Sequence, residues 1–157
     1  PSRLLSSLYH HWIIPKSIRP SLDLCSPLVG GQVICSTSFD ALHPPELVID
    51  GSDHTFWSST GMFPQEFIVK LGSTAQVTRV KTLTTNVKSL TVERCEGVAP
   101  ISWEKVFDME CPDTDGRLQV ESQTVRCTAN FLKFKFVSGW DEYVTVHRVQ
   151  VEGKTTR

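Results

Sequence analysis

The chain has 157 residues, enough for one domain with a packed core of its own. It is 39% hydrophobic and 21% charged, and 16 basic against 17 acidic side chains leave a formal net charge of -1. That balance excludes the clustered positive charge of a nucleic-acid or polybasic membrane surface, and no apolar run nears the roughly 18 residues of a membrane span.

Residues 1–20, PSRLLSSLYHHWIIPKSIRP, differ in character from the remainder of the chain. They carry Arg3, Lys16 and Arg19 and no acid. They are expected to form a flexible extension outside the domain, with a targeting peptide as the alternative. From residue 21 the apolar period is close to two. QVICSTS, EFIVKL, VTRVKTLTT, SLTVER, RLQVESQTVRC, FLKFKFV and YVTVHRVQVEG all read as short strands. In FLKFKFV, Leu132, Phe134 and Phe136 point one way and Lys133 and Lys135 the other. In the last segment Val144 and Val146 share one parity and Val149 and Val151 the other, so a bulge is expected near His147 and Arg148. About eight short strands with turns between them define an all-β fold, an antiparallel β-sandwich or jelly roll, over residues 21–153. Residues 154–157 are left as a C-terminal tail.

Five cysteines, Cys25, Cys35, Cys95, Cys111 and Cys127, form no C-x-x-C pair. An odd count without that spacing suggests neither a disulfide framework nor a zinc site. Free thiols in a reducing compartment fit best. Neither Asn86 nor Asn130 begins a glycosylation sequon.

The densest chemistry lies in HPPELVIDGSDHTFWSSTGMFPQEFIV, residues 43–69. Pro44 and Pro45 fix two φ angles and hold His43 out of the helical region. Asp50-Gly51 is a turn pair. Phe56 and Trp57 are large anchors that lock a loop against a sheet. A carboxylate, a hydroxyl and inward carbonyls make an oxygen-only cage, which suits calcium better than magnesium because calcium accepts irregular coordination. D-G-x-x-x-T is equally the pattern of an ordinary turn leading into a strand.

This stretch resembles the opening of the discoidin-type, galactose-binding-like jelly rolls, the family of coagulation factor C domains. H-P-P-E, I-D-G, T-F-W and T-G-M-F-P-Q-E-F-I, with LDLCS at 22–26 and VTVHRVQVEG at 144–153, are similar to a branch of that family formed by ciliary transport subunits. The likeness covers roughly residues 21–153 and is sparse in 95–128. It implies a structural calcium ion between the opening loop and the last strand. Asp50 would give a carboxylate, Thr55 a hydroxyl and a carbonyl, Leu47 and Ser52 carbonyls, and Glu152 a second carboxylate. Position 47 is Leu where relatives carry a polar residue, which leaves a backbone ligand possible and removes a side-chain one. Asp53 is expected to be a solvated turn residue.

The resemblance also implies a non-enzymatic subunit of the intraflagellar transport B complex, in cilium and cytoplasm. Its expected partner is a Rab-like small GTPase subunit, intraflagellar transport protein 27, with a role in exporting Hedgehog-pathway receptors. Neither nucleic acid nor membrane insertion is expected. The interface is looked for first on the sheet face bearing Phe131, Lys133 and Lys135. The alternative is a calcium-dependent carbohydrate-binding module in which Trp140 stacks on a sugar. Trp57 and Trp103 are read as core residues, His147 as a strand residue at the bend rather than a base, and Asp108, Glu110, Asp113 and Asp115 as a solvated acidic loop. No hydrolase, metalloprotease or phosphate-loop motif occurs, so no catalytic residue is assigned.

Overall fold

The computed structural model describes residues 22–156, so the 1–20 extension lies outside the described residues. Seven antiparallel strands occur in the order β1 (Gln32–Ser36), β2 (Trp57–Ser58), β3 (Gln65–Thr85), β4 (Val87–Cys95), β5 (Glu104–Glu110), β6 (Gln119–Gly139) and β7 (Thr145–Thr155). Single 3-10 turns at Pro27–Val29 and Pro45–Ile49 are the helical elements among the described residues, and none of these is long and apolar enough to cross a membrane.

The ladder runs β2-β7-β3-β6-β4-β5, with β1 added to β3. β3 and β6 are 21 residues each and serve both layers of the sandwich. Gln65–Lys70 pairs with Phe131–Phe136, and Ala75–Thr84 pairs with Gln119–Ala129. β1 and β4 flank the first of these paired segments, and β7 flanks the second. EFIVKL and VTRVKTLTT are thus one strand bent at a register slip between Lys70 and Ala75. RLQVESQTVRC and FLKFKFV likewise join as β6.

Alternation sets the core. Leu132, Phe134 and Phe136 are fully buried, as are Phe67 and Trp57. Their rings form one cluster, with Trp57 edge-on to Phe67 at 5.3 Å and Phe67 stacked on Phe134 at 5.2 Å. Each buried ring contributes roughly 1.5–3 kcal/mol. The bulge expected in β7 is present: Leu83 pairs with Arg148 but Thr84 pairs with Val146, so His147 is the extra residue. That extra residue restores Val149 and Val151 to the core beside Val144 and Val146.

The structure departs from the sequence reading in several places. β5 has no counterpart among the expected strands, because EKVFDME is an edge strand with charge on both faces and no clean alternation. Phe131 is not available on the face where an interface is expected. It is 3% exposed, packed with Ile68 and Cys95 beneath Trp103, whose ring lies 4.2 Å from the Lys133 ammonium. Trp103 therefore covers a small outer cluster and is not part of the main core. Lys154 and Thr155 extend the last strand beyond residue 153, pairing with Gln76 and Ala75.

Candidate functional site: the opening loop and its ties to the last strand

The loop between the second 3-10 turn and β2 begins at Asp50. Its carboxylate folds back over its own loop: Oδ1 accepts the Ser52 N–H at 2.9 Å and Oδ2 accepts the Thr55 hydroxyl at 2.5 Å. Gly51 takes φ +82°, which a side chain would resist. Leu47 sits in the 3-10 turn, and its carbonyl faces the Asp50 N–H at 3.5 Å. Asp50 is exposed, and Leu47, Ser52 and Thr55 are half-buried. Asp50, Ser52 and Thr55 are thus brought together, and an oxygen set of this kind fits a hard cation.

Glu152 stands differently. Its carboxylate lies 2.9 Å from Lys81 Nζ and 3.9 Å from Arg79 Nε, on the neighbouring strand, with 16% of the side chain exposed. Two cations already lie against this carboxylate, so an ion there would compete with Lys81. Among the described residues no three His, Cys, Asp or Glu side chains gather as a metal centre.

The structure also gives ties that the sequence did not disclose. Phe56 stacks on His43 at 4.0 Å and meets His147 at 5.0 Å. The His147 ring nitrogen Nδ1 hydrogen-bonds the Asp53 carbonyl at 2.8 Å, and Arg148 lies 3.5 Å from the Asp53 carboxylate. Asp53 is therefore an ion-paired link to β7, and the bulge at His147 is what turns that ring toward the loop. At the far end of β7, the buried Val151 N–H donates to Asp23 Oδ1 at 3.1 Å, and the same oxygen accepts the Cys25 N–H at 3.0 Å. The start of the domain is pinned to its end by a side chain, through the LDLCS motif.

The other candidates have partners within the fold. Trp140 is anchored by its indole N–H on the Cys111 carbonyl at 2.9 Å. Of the expected acidic loop, Asp108 and Glu110 lie instead on β5, where Lys105 and the Thr91 hydroxyl hold the Asp108 carboxyl below its ordinary range. Asp113 accepts the Asp115 N–H in a turn completed by Gly116.

A two-layered antiparallel jelly roll, opened by an Asp-Gly loop that closes on the last strand, is a recognised class. Residues 32–149 match the F5/8 type C domain, and the chain belongs to that family. Within it the chain falls among the intraflagellar transport protein 25 relatives. It is 44% identical to "Intraflagellar transport protein 25" of Chlamydomonas reinhardtii, over 79% of this chain and 66% of that protein. It is 38% identical to the Mus musculus homolog, over 85% of this chain and 94% of that one. Among solved structures, chitosan-binding module 1 from a Paenibacillus chitosanase/glucanase superposes with a TM-score of 0.72 at 24% identity, covering 84% of this chain and 99% of that one. That likeness speaks for the fold alone.

Proposed function

We propose that this protein is a non-enzymatic subunit of the intraflagellar transport B complex that pairs with a Rab-like small GTPase subunit, intraflagellar transport protein 27. The observation that carries the reading is the 38% identity to the mouse intraflagellar transport protein 25 homolog across 94% of that protein. In this reading the protein works in the cilium and cytoplasm and supports export of Hedgehog-pathway receptors. A calcium ion at the opening loop has a structural role. Asp50 and Thr55 would hold it by side chain, Leu47 and Ser52 by carbonyl, and Glu152 would contribute by releasing Lys81. The ion would supply rigidity by binding the folded state alone.

The deciding experiment is light scattering after size exclusion, with this chain mixed with the GTPase subunit. A stable 1:1 species is expected. Separate elution at micromolar concentrations overturns the reading. Trp140, 43% exposed at the end of the sandwich, favours a second reading as a carbohydrate-binding module. Glycan-array binding lost in Trp140→Ala would support that reading, and a blank array removes it.

A further inference from the structure

We propose that the open edge of β6, residues 120–127, takes up an extended segment of another protein as an added antiparallel strand, one that carries an acid near its start and a cation about five residues later. This goes beyond the GTPase reading and does not depend on it. From Phe131 to Phe136, β6 is paired on both sides, by β3 and by β4. From Gln119 to Ala129 its strand partner is β3 alone. Every second residue there turns its N–H and C=O away from the sheet. Side chains close the two ends. The Gln119 amide reaches Val87 and Pro112, and Arg94 Nη1 donates to the Thr128 carbonyl at 2.8 Å. Between those ends the edge is open. QVESQTVRC holds neither Pro nor Gly, and Val120, Thr124 and Val125 favour extended backbone. A long open edge of this kind is where a sheet accepts a further strand.

β5, the edge strand of the facing layer, is defended. Its exposed Glu104 pairs with Arg94 at 2.6 Å, and Lys105 pairs with Asp108 at 2.7 Å. It supplies a wall instead. Between β5 and β6 lies a hollow of about 360 Å³, with Val106 and Phe107 on one side and Val125 and Cys127 on the other. All four are half-buried and pack against the main core, so apolar surface is left for an incoming side chain to cover. A strand added to β6 would point alternate side chains toward this hollow. Backbone hydrogen bonds would supply affinity, and the hollow a preference for apolar residues at alternate positions.

Charge selects the occupant. Glu121 is half-buried and Arg126 exposed, and neither has an ion-pair partner among the described residues. A charge on an open edge deters indiscriminate pairing and admits a complementary strand. Glu121 calls for a cation and Arg126 for an acid. Every ladder of this fold is antiparallel, and that direction brings the acid first along the added strand. A second copy answers less well. Two-fold pairing of the edge with itself, centred on Ser122, Gln123 or Thr124, never sets Glu121 opposite Arg126.

The test selects a phage-displayed random-peptide library on the full chain, then titrates a synthetic enriched peptide by fluorescence polarisation. Enriched sequences should alternate apolar residues between an acid and a later cation. N-methylation at alternate peptide residues should abolish binding in one phase and spare it in the other, because only every second N–H would face β6. Binding should fall about tenfold or more in Glu121→Lys/Arg126→Glu, and a peptide with its two charges exchanged should recover it. The methylation arm uses the parent chain, so it decides the matter even where the double variant melts early. No enrichment, a cation-first consensus, binding without a methylation phase, or binding indifferent to charge reversal in a variant that keeps the parent melting curve overturns the proposal. A concentration-dependent dimer that the reversal abolishes, in place of peptide binding, overturns it equally. Light scattering with the GTPase is run in parallel and reads the other proposal separately.

Discussion

Gln119→Leu is expected to be among the most damaging single changes that leave the apolar core intact. Gln119 is 2% exposed at the start of β6, and its amide does what a neighbouring strand would do for Val87. Nε2 donates to the Val87 carbonyl at 2.7 Å and to the Pro112 carbonyl at 3.0 Å. Oε1 accepts the Val87 N–H at 3.0 Å and the Thr84 hydroxyl at 2.9 Å. Pro112 is exposed and water can replace its contact, but Val87 is fully buried and Thr84 is 1% exposed. Leucine keeps the volume and strands both backbone groups of Val87, at about 1–3 kcal/mol each. Gained apolar burial returns about 1 kcal/mol. The net loss should be about 1–5 kcal/mol, a fall in Tm of roughly 3–18 °C for a domain of this size. Urea unfolding measures it, as a lower midpoint at unchanged slope. Thr84→Val, which leaves Gln119 Oε1 still accepting the Val87 N–H, should cost about 1 kcal/mol. A Gln119→Leu loss below about 1 kcal/mol would mean that water reaches Val87, and the reasoning from buried, unpaired backbone groups would fail.

Gly153→Ala would put its Cβ 2.0 Å from the Gln76 carbonyl oxygen, so the β3–β7 ladder must open there; we expect a loss of about 1–3 kcal/mol or more in the same assay. Burial pushes the Cys111 thiol from 9.0 up to about 11, aided by the nearby Glu121 and Glu110 carboxylates. The folded state then keeps a proton that the unfolded state releases, so stability is full below pH 9, falls as pH rises through the unfolded value, and levels off only above about 11. The urea midpoint of Cys111→Ala should decline less than that of the parent between pH 8.5 and 10.5, as expected where one thiol contributes at most about 1.4 kcal/mol per pH unit. If calcium binds the opening loop, the parent should melt several degrees higher in millimolar calcium than in EDTA, by about 2.7 kcal/mol at a hundredfold excess over Kd. Asp50→Ala should erase that difference; equal melting of the parent in both conditions would sink the calcium assignment.

The strands are legible where one face is buried and the other wet. FLKFKFV shows it, and the parity break in VTVHRVQVEG locates the bulge at His147 because a one-residue insertion leaves a visible signature in a period of two. What the sequence hides is continuity. The gap at 72–76 reads as a break between strands, yet β3 runs through it, since a jelly roll bends long strands across its corner instead of ending them. β5 is hidden because an edge strand can carry Lys105 and Asp108 without a packing cost. Phe131 is misplaced by pattern alone because alternation puts it opposite Phe134 but says nothing of the 96–103 loop that covers it. In the opening loop, the motif gives Asp50, Ser52 and Thr55 together. Glu152 is harder, because its contacts with Arg79 and Lys81 come from strand pairing that no local pattern shows. Asp23 escapes notice for the same reason: its partner is 128 residues away.

The opening loop is linked to the loop before β7 through β2. Thr55 and Phe56 lead directly into Trp57 and Ser58, which pair with Val146 and Thr145. Ser59 comes next and its Oγ accepts the Val144 N–H at 3.0 Å, just before β7. Five consecutive residues, Thr55 to Ser59, therefore connect the Asp50 carboxylate to the hydrogen bonds at Val144. The His43–Phe56–His147 stack and the Asp53 contacts hold this segment on β7 without any ion. An ion at Asp50 would thus tighten a loop already seated. Its contribution would be stability of the folded state, by binding that state alone.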